Sequence, residues 1–306
     1  MTKNPETSSI LICVAIADPV AVTDLLVTAL RDAGIAVRLE QVTSLGQSGN
    51  VSAADYALPV TDAATKRKLV QAISEQGADA AILPSAARRK RLLISDMDST
   101  IIGQECLDEL ADFAGFKAEV SAITERAMRG ELDFETALTT RVSMLKGLGL
   151  DALEAAYKER ITLNPGARQL VTTMKVHGAA TILVSGGFTF FTARVADAAG
   201  FDQHRGNILI DDGKALTGDV GRPILGREAK LAALDEFAAR AGLSRADTLA
   251  LGDGANDLAM IRASGLGIAY EAKPIVAAEA HAAINHTDLR AALFFQGYTA
   301  EEFSAG

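Results

Sequence analysis

Residues 92–100 read LLISDMDST, an apolar run that breaks into two aspartates, Asp96 and Asp98, and then small hydroxylated residues. A short run that is apolar throughout, rather than alternating, reads as a strand covered on both faces. The pattern returns in ATILVSGG at 180–187, TLALGDGAND at 248–257 and GLGIAY at 265–270, with helical stretches between them. Strands of this kind separated by helices build a parallel α/β sheet, and in such sheets ligands bind beyond the carboxyl ends of the strands. The polar residues that follow each run are therefore where chemistry is expected.

Two interruptions break the alternation. Between Thr100 and Pro165 the helical sequence, including DELADFAGF, FETALTTRVSML and LDALEAAYKERI, exceeds what one crossover needs, and implies a helical cap at about 103–164 inserted in the core. Residues 206–220, GNILIDDGKALTGDV, place two extended runs around a hairpin turn at Asp212-Gly213. Upstream, ILICVAIA (10–17), a helical stretch at 20–33, AVRLEQV (36–42), DYALPV (55–60), a second helical stretch at 63–75 and AAILP (80–84) follow the order βαββαβ. That order predicts an α+β, ferredoxin-like unit over residues 1–85, with 46–50 turning between the middle strands, ahead of a second unit over 86–306. AARRKR at 86–91 reads as a solvated connector between the two.

The 306 residues are 49% hydrophobic and 23% charged, with a net charge of −9, which describes a folded chain with no global field for nucleic acid or anionic lipid. Cys13 and Cys106 stand far apart, and no Cys or His has metal-ligand spacing, so neither a disulfide framework nor a zinc site is expected. No run approaches the roughly 18 apolar residues of a membrane span, and the stretch at 10–17 lacks the preceding positive charge of a signal peptide. The expected location is the cytoplasm.

Asp96 and Asp98 close one strand, and Asp253 and Asp257 follow another among glycines that permit a tight turn. Either pair alone would serve as turn or cap residues. Four carboxylates in one crevice, however, need raised pKa values or a bound cation, and an all-oxygen donor set favours Mg²⁺ over zinc or copper. Ser185, Gly186 and Gly187 offer a hydroxyl and bare N–H groups to a phosphate, whereas Lys230, in LGREAKLAAL, is by itself an ordinary helix-surface lysine.

Taken in order, D-x-D-x-T, Ser before glycine, a lysine and G-D-x-x-x-D resemble the haloacid dehalogenase superfamily. Within it the likeness is to the phosphoserine phosphatase branch, carried by DMDST with Glu105 shortly after, AMRGELDF, Arg141 in TTRV, VSGGF and GDGANDLAM before AKP, over roughly residues 91–295. The resemblance implies a Rossmann-like parallel-sheet core with a helical cap, and hydrolysis of O-phospho-L-serine through an aspartyl phosphate, the last step of serine biosynthesis. It makes Asp96 the nucleophile, Asp98 the acid and base, and Lys230 a charge partner of the phosphoryl group. Mg²⁺ would be held by the side chains of Asp96 and Asp253 and the carbonyl of Asp98, with Asp257 and Asn256 in support. Ser185, Gly186 and Gly187 would hold phosphoryl oxygens and Asn256 would line the same site. Glu105 would pair with the substrate ammonium, Arg141 with its carboxylate, and Met128 and Phe134 would close an apolar lid.

Another small phosphomonoester, such as phosphothreonine, is the competing substrate. A different class is a sensor: the amino-terminal unit resembles ACT-like amino-acid-sensing domains, which implies a regulatory role through a homodimer or a serine feedback site. The intact catalytic set speaks for an enzyme assisted by that unit rather than a sensor alone.

Overall fold

The computed structural model describes residues 9–128 and 131–305, with the backbone alone at 125, 127 and 128. The chain opens with β1 (Ser9–Ala15), α1 (Pro19–Asp32), β2 (Val42–Ser48), β3 (Val51–Leu58), α2 (Ala63–Ser74) and β4 (Asp79–Pro84). These strands form an antiparallel sheet in the order β2-β3-β1-β4. Both helices start on an aspartate, Asp18 or Asp62, whose carboxylate accepts two first-turn N–H groups. Leu26, Leu30, Leu69 and Ile73 of these helices pack on Leu11, Cys13 and Tyr56 on one face of the sheet. The opposite face, with Ile12, Val14, Val51, Ala53 and Leu83, merges with the core of the following unit.

The strand expected at 36–42 lies further along. Residues 39–41 form a 3₁₀ turn, and β2 extends to Ser48, with its register shifted between Ser44 and Gly46, so the turn expected at 46–50 is confined to residues 49–50. The cause is packing: Leu39 is 60% exposed whereas Leu45 is buried, so Leu45 sets which residues pair.

The second sheet begins with β5 (Leu92–Ser95). Four helices follow, α3 (Cys106–Phe113), α4 (Lys117–Met128), α5 (Phe134–Ser143) and α6 (Leu150–Arg160), filling the interval expected to be helical. The chain returns through α7 (Ala167–Val176), β6 (Ala180–Phe188), α8 (Thr189–Ala199), β7 (Gln203–Asn207) and the hairpin β8 (Leu209–Asp211) and β9 (Leu216–Val220). It ends with α9 (Arg227–Arg240), β10 (Thr248–Gly252), α10 (Leu258–Ala263), β11 (Leu266–Tyr270), α11 (Pro274–Ala277), β12 (Ala282–Ile284) and α12 (Ala291–Phe295). The six strands are parallel in the order β12-β11-β10-β5-β6-β7. Leu92, Ile94, Ile182 and Val184 pack to one side, Leu93, Leu183, Leu249 and Leu251 to the other, so both faces are buried as the unbroken apolar runs require. β5 lies between β6 and β10, and strand order reverses there, which opens a crevice beyond its carboxyl end.

The β8–β9 hairpin, turning at Gly213 with φ 87°, leans on the α5–α6 loop: Gly147 N–H donates to Leu216 O at 2.8 Å and Leu216 N–H to Leu148 O at 2.9 Å. The connector at 86–91 is not simply solvated. Arg88, only 12% exposed, pairs with Asp55 at 2.8 Å, and Arg89 pairs with Glu302 while lying over the Tyr298 ring. These charges are held because β3 and the C-terminal segment close over them. Among the described residues no helix is long and apolar enough to cross a membrane.

Candidate active site

Asp96 follows β5 directly, and its N–H donates to Leu251 O at 2.9 Å, which ties the start of the loop to β10. Its side chain is buried beside Lys230, carried in by α9, whose Nζ lies 2.7 Å from Asp96 Oδ2 and 2.6 Å from Asp257 Oδ1. The sequence alone would leave Lys230 on a helix surface; here it is 3% exposed. Asp253, at the end of β10, completes the group: oxygens of Asp96, Asp253 and Asp257 lie within 4.8 Å of one another. Thr100 Oγ1 donates to Asp253 Oδ1 at 3.4 Å, and Gly254 N–H to Asp257 Oδ2 at 3.1 Å.

The electrostatics follow from that crowding. Burial, then the charge of Asp257, pushes the Asp96 carboxyl well above its usual range, with Lys230 opposing. Burial and the same neighbour push Asp253 up to about 6. Burial alone would depress the Lys230 ammonium, but Asp96 and Asp257 outweigh it and hold it above its ordinary value. Three carboxylates share one ammonium, and the donors are all hard oxygens. A small divalent cation fits that set, because it would relieve the repulsion that Lys230 only partly offsets.

Asp98 lies on the other limb of the loop. Its Oδ1 accepts the N–H of Cys106, the first residue of α3, at 2.9 Å, and its Oδ2 accepts from Ser185 Oγ at 3.0 Å. Ser185 Oγ in turn accepts the Gly187 N–H at 2.8 Å. A Cβ on Gly187 would stand 2.9 Å from Asp98 Oδ2, so the turn and the loop close together only with glycine there. Phe134, the first residue of α5 and 41% exposed, reaches across so that a Cβ on Gly186 would lie 3.3 Å from its ring. One cap residue thus touches the turn that the sequence assigned to phosphate.

Glu105 sits at the mouth of the crevice as the residue capping α3, without a cap hydrogen bond from its side chain; its Oε1 instead accepts from Ser99 Oγ at 2.7 Å. Desolvation, then the Asp98 charge, raises its carboxyl to about 7. Arg141, half-buried on α5, donates from Nη1 to Thr124 Oγ1 at 3.3 Å and feels the charges of Asp108 and Glu105. Asn256 shares the Asp253–Asp257 loop, its side chain folded over Gly254. The side chain of Met128 lies outside the described residues.

Three residues at the site went unread in the sequence. Ser99 and Thr100, which the sequence shows only as small hydroxylated residues after the aspartates, each place the hydroxyl on an acidic partner. Asn207, at the end of β7 and 2% exposed, donates from Nδ2 to Gly186 O at 2.8 Å and to Leu225 O at 3.3 Å, and accepts Leu225 N–H at 2.7 Å. Its only sequence signal is an asparagine before a hairpin, which is what any turn offers.

Residues 93–262 match the haloacid dehalogenase-like hydrolase family. A phosphoserine phosphatase of Polaromonas sp. is 48% identical over 204 residues, which are 65% of this chain and 86% of that one. Among solved structures, a haloacid dehalogenase family hydrolase from Salmonella enterica serovar Typhi aligns with a TM-score of 0.81 at 30% identity, over 94% of this chain and 98% of that one. A substrate-bound phosphoserine phosphatase aligns with a TM-score of 0.63 at 40% identity, over 68% of this chain and 98% of that one.

Proposed function

Because the chain belongs to the haloacid dehalogenase-like hydrolases, we propose that it is a Mg²⁺-dependent phosphatase converting O-phospho-L-serine to L-serine and phosphate, the closing step of serine biosynthesis. The observation that carries this reading is the meeting of buried Asp96, Lys230 and Asp257 with half-buried Asp253 beside the Asp98–Ser185 pair. A carboxylate held against an ammonium, with a hydroxyl and N–H groups alongside, is arranged to accept a phosphoryl group.

In the first half-reaction Asp96 attacks phosphorus, the bond from phosphorus to the serine oxygen breaks, and Asp98 gives that oxygen its proton. In the second, Asp98 takes a proton from water as the water attacks the aspartyl phosphate, which frees phosphate and restores Asp96. Lys230 offsets charge on the transferring group, and Ser185, Gly186 and Gly187 hold its oxygens. A Mg²⁺ ion bound by Asp96, Asp253 and the Asp98 carbonyl, steadied by Asp257, would supply further charge neutralisation. Asn256 lines the phosphate side, Glu105 takes the ammonium, Arg141 the carboxylate, and Phe134 and Met128 shut out water.

Replacing Asp96 with Asn should lower phosphoserine turnover by at least about a thousandfold while the protein stays folded. Turnover that persists in that variant, or in wild-type protein stripped with EDTA, would remove the reading. For residues 1–85, set ahead of a phosphatase unit at 86–306 with its cap at about 103–164, we propose a regulatory role through dimerisation or serine feedback. Sedimentation velocity and activity with and without millimolar serine test it, and a monomer indifferent to serine would end it.

A further inference from the structure

We infer that Ser99 is a positioning residue for the substrate ammonium: its hydroxyl holds the Glu105 carboxylate in the crevice, and a left-handed backbone is tolerated at Ser99 to place that hydroxyl. The inference deepens the function proposed above and rests on its assignment of Glu105 to the ammonium.

The backbone supplies the first observation. Among the described residues, positive φ falls almost wholly on glycines, and the exceptions are Ala87, Ser99 and Glu271. Ser99, at φ 53°, is the one of these inside the D-x-D-x-T loop, between Asp98 and Thr100. A serine in this region is strained where glycine would be relaxed, and a glycine would satisfy the backbone there equally well. The turn itself therefore does not call for a hydroxyl. Its backbone bonds, Ser99 N–H to Gln104 O and Ile101 N–H to Met97 O, use no side chain.

The second observation is what the hydroxyl does. Ser99 Oγ donates to Glu105 Oε1 at 2.7 Å across the loop. Glu105 has a competing use, because it occupies the cap position of α3, where an acidic side chain can fold back on the first-turn N–H groups. That alternative is not taken: the Glu105 side chain makes no cap hydrogen bond, and Ser99 draws it away from the helix. The remaining oxygen, Oε2, is left for a cation. A carboxylate near Asp98 and Asp253 would otherwise be driven outward by like charge. One neutral donor fixes it without cancelling its charge, which a lysine or arginine in that place would do.

The test compares phosphoserine with p-nitrophenyl phosphate, which reacts at the same phosphoryl group and carries no ammonium. Ser99→Ala keeps the strain and loses the hydroxyl; Ser99→Gly loses both, and suits the backbone, so it folds. Both variants should raise KM for phosphoserine about tenfold, the weight of a hydrogen bond to a charged group, with kcat within about twofold. For p-nitrophenyl phosphate, kcat/KM should stay within about twofold of wild type, and the Ser99→Gly protein should melt no lower than wild type. In a Glu105→Ala background Ser99→Ala should have no further effect on phosphoserine, because the acceptor it acts through is gone. Equal losses on both substrates, an unchanged phosphoserine KM, or penalties that multiply in the double variant would overturn the assignment. Glu105→Gln that spares phosphoserine would instead sink the ammonium reading beneath it.

Discussion

At Asp96 the chain gathers more negative charge than it neutralises. Asp96, Asp253 and Asp257 share the single ammonium of Lys230, and burial raises Asp96 and Asp253. A carboxyl whose folded pKa lies above its unfolded value adds stability at low pH, fully present below the unfolded value and lost as pH rises through the folded one. For Asp253 that window runs from the ordinary value of 3.8 up to about 6, and for Glu105 from 4.5 up to about 7. Metal-free protein should therefore melt at a higher temperature at pH 5 than at pH 8. In the proposed site Mg²⁺ would bind the ionised carboxylates, so it should raise the melting temperature more at pH 8 than at pH 5. Differential scanning fluorimetry in EDTA or Mg²⁺ across that range measures both, and a metal response independent of pH would contradict the raised Asp253 carboxyl.

Among elements, the site depends on three strands and a helix arriving in register, and Asn207 joins two of those arrivals. From β7 it bonds the Gly186 carbonyl in the turn after Val184 and both backbone groups of Leu225, which leads into the helix carrying Lys230. Asn207→Ala would leave a buried N–H and two buried carbonyls without this partner, at a cost of about 1–3 kcal/mol in stability. Because the turn and Lys230 would drift apart, kcat should fall by about ten- to a hundredfold with a smaller change in KM. Steady-state kinetics beside urea denaturation separate the two effects, and an unchanged kcat would make Asn207 purely structural. The strands were legible because each is an unbroken apolar run, and the acidic loops because they follow those runs. Asn207, Ser99 and the displaced start of β2 were not, since what decides them is a partner far along the chain or a buried neighbour such as Leu45. Local sequence carries no term for either.

Across the whole molecule, the antiparallel sheet is packed on both faces, by α1 and α2 on one side and by the segment around Leu289–Tyr298 on the other. The junction is also polar. Asp79, 2% exposed at the start of β4, accepts N–H groups from Asn285, His286 and Thr287 just past β12, and Arg88 spans from Asp55 to the carbonyls of Phe294 and Phe295. Cutting the chain at residue 85 would expose Leu289–Tyr298, so a fragment of 86–306 should be poorly soluble and is an unsafe control for any regulatory role. A point change is cleaner. Arg88→Ala leaves Asp55 buried without its cation, which should cost about 3–5 kcal/mol and lower the urea midpoint while the transition stays single, since the two units share one core. Arg88 precedes the amino end of β5, whereas Asp96 follows its carboxyl end. At 25 °C, kcat for phosphoserine should therefore stay within about twofold of wild type. A split unfolding transition would instead mean that the sheet and the phosphatase core are only loosely joined, and a large loss of kcat would mean that the junction is coupled to the catalytic crevice.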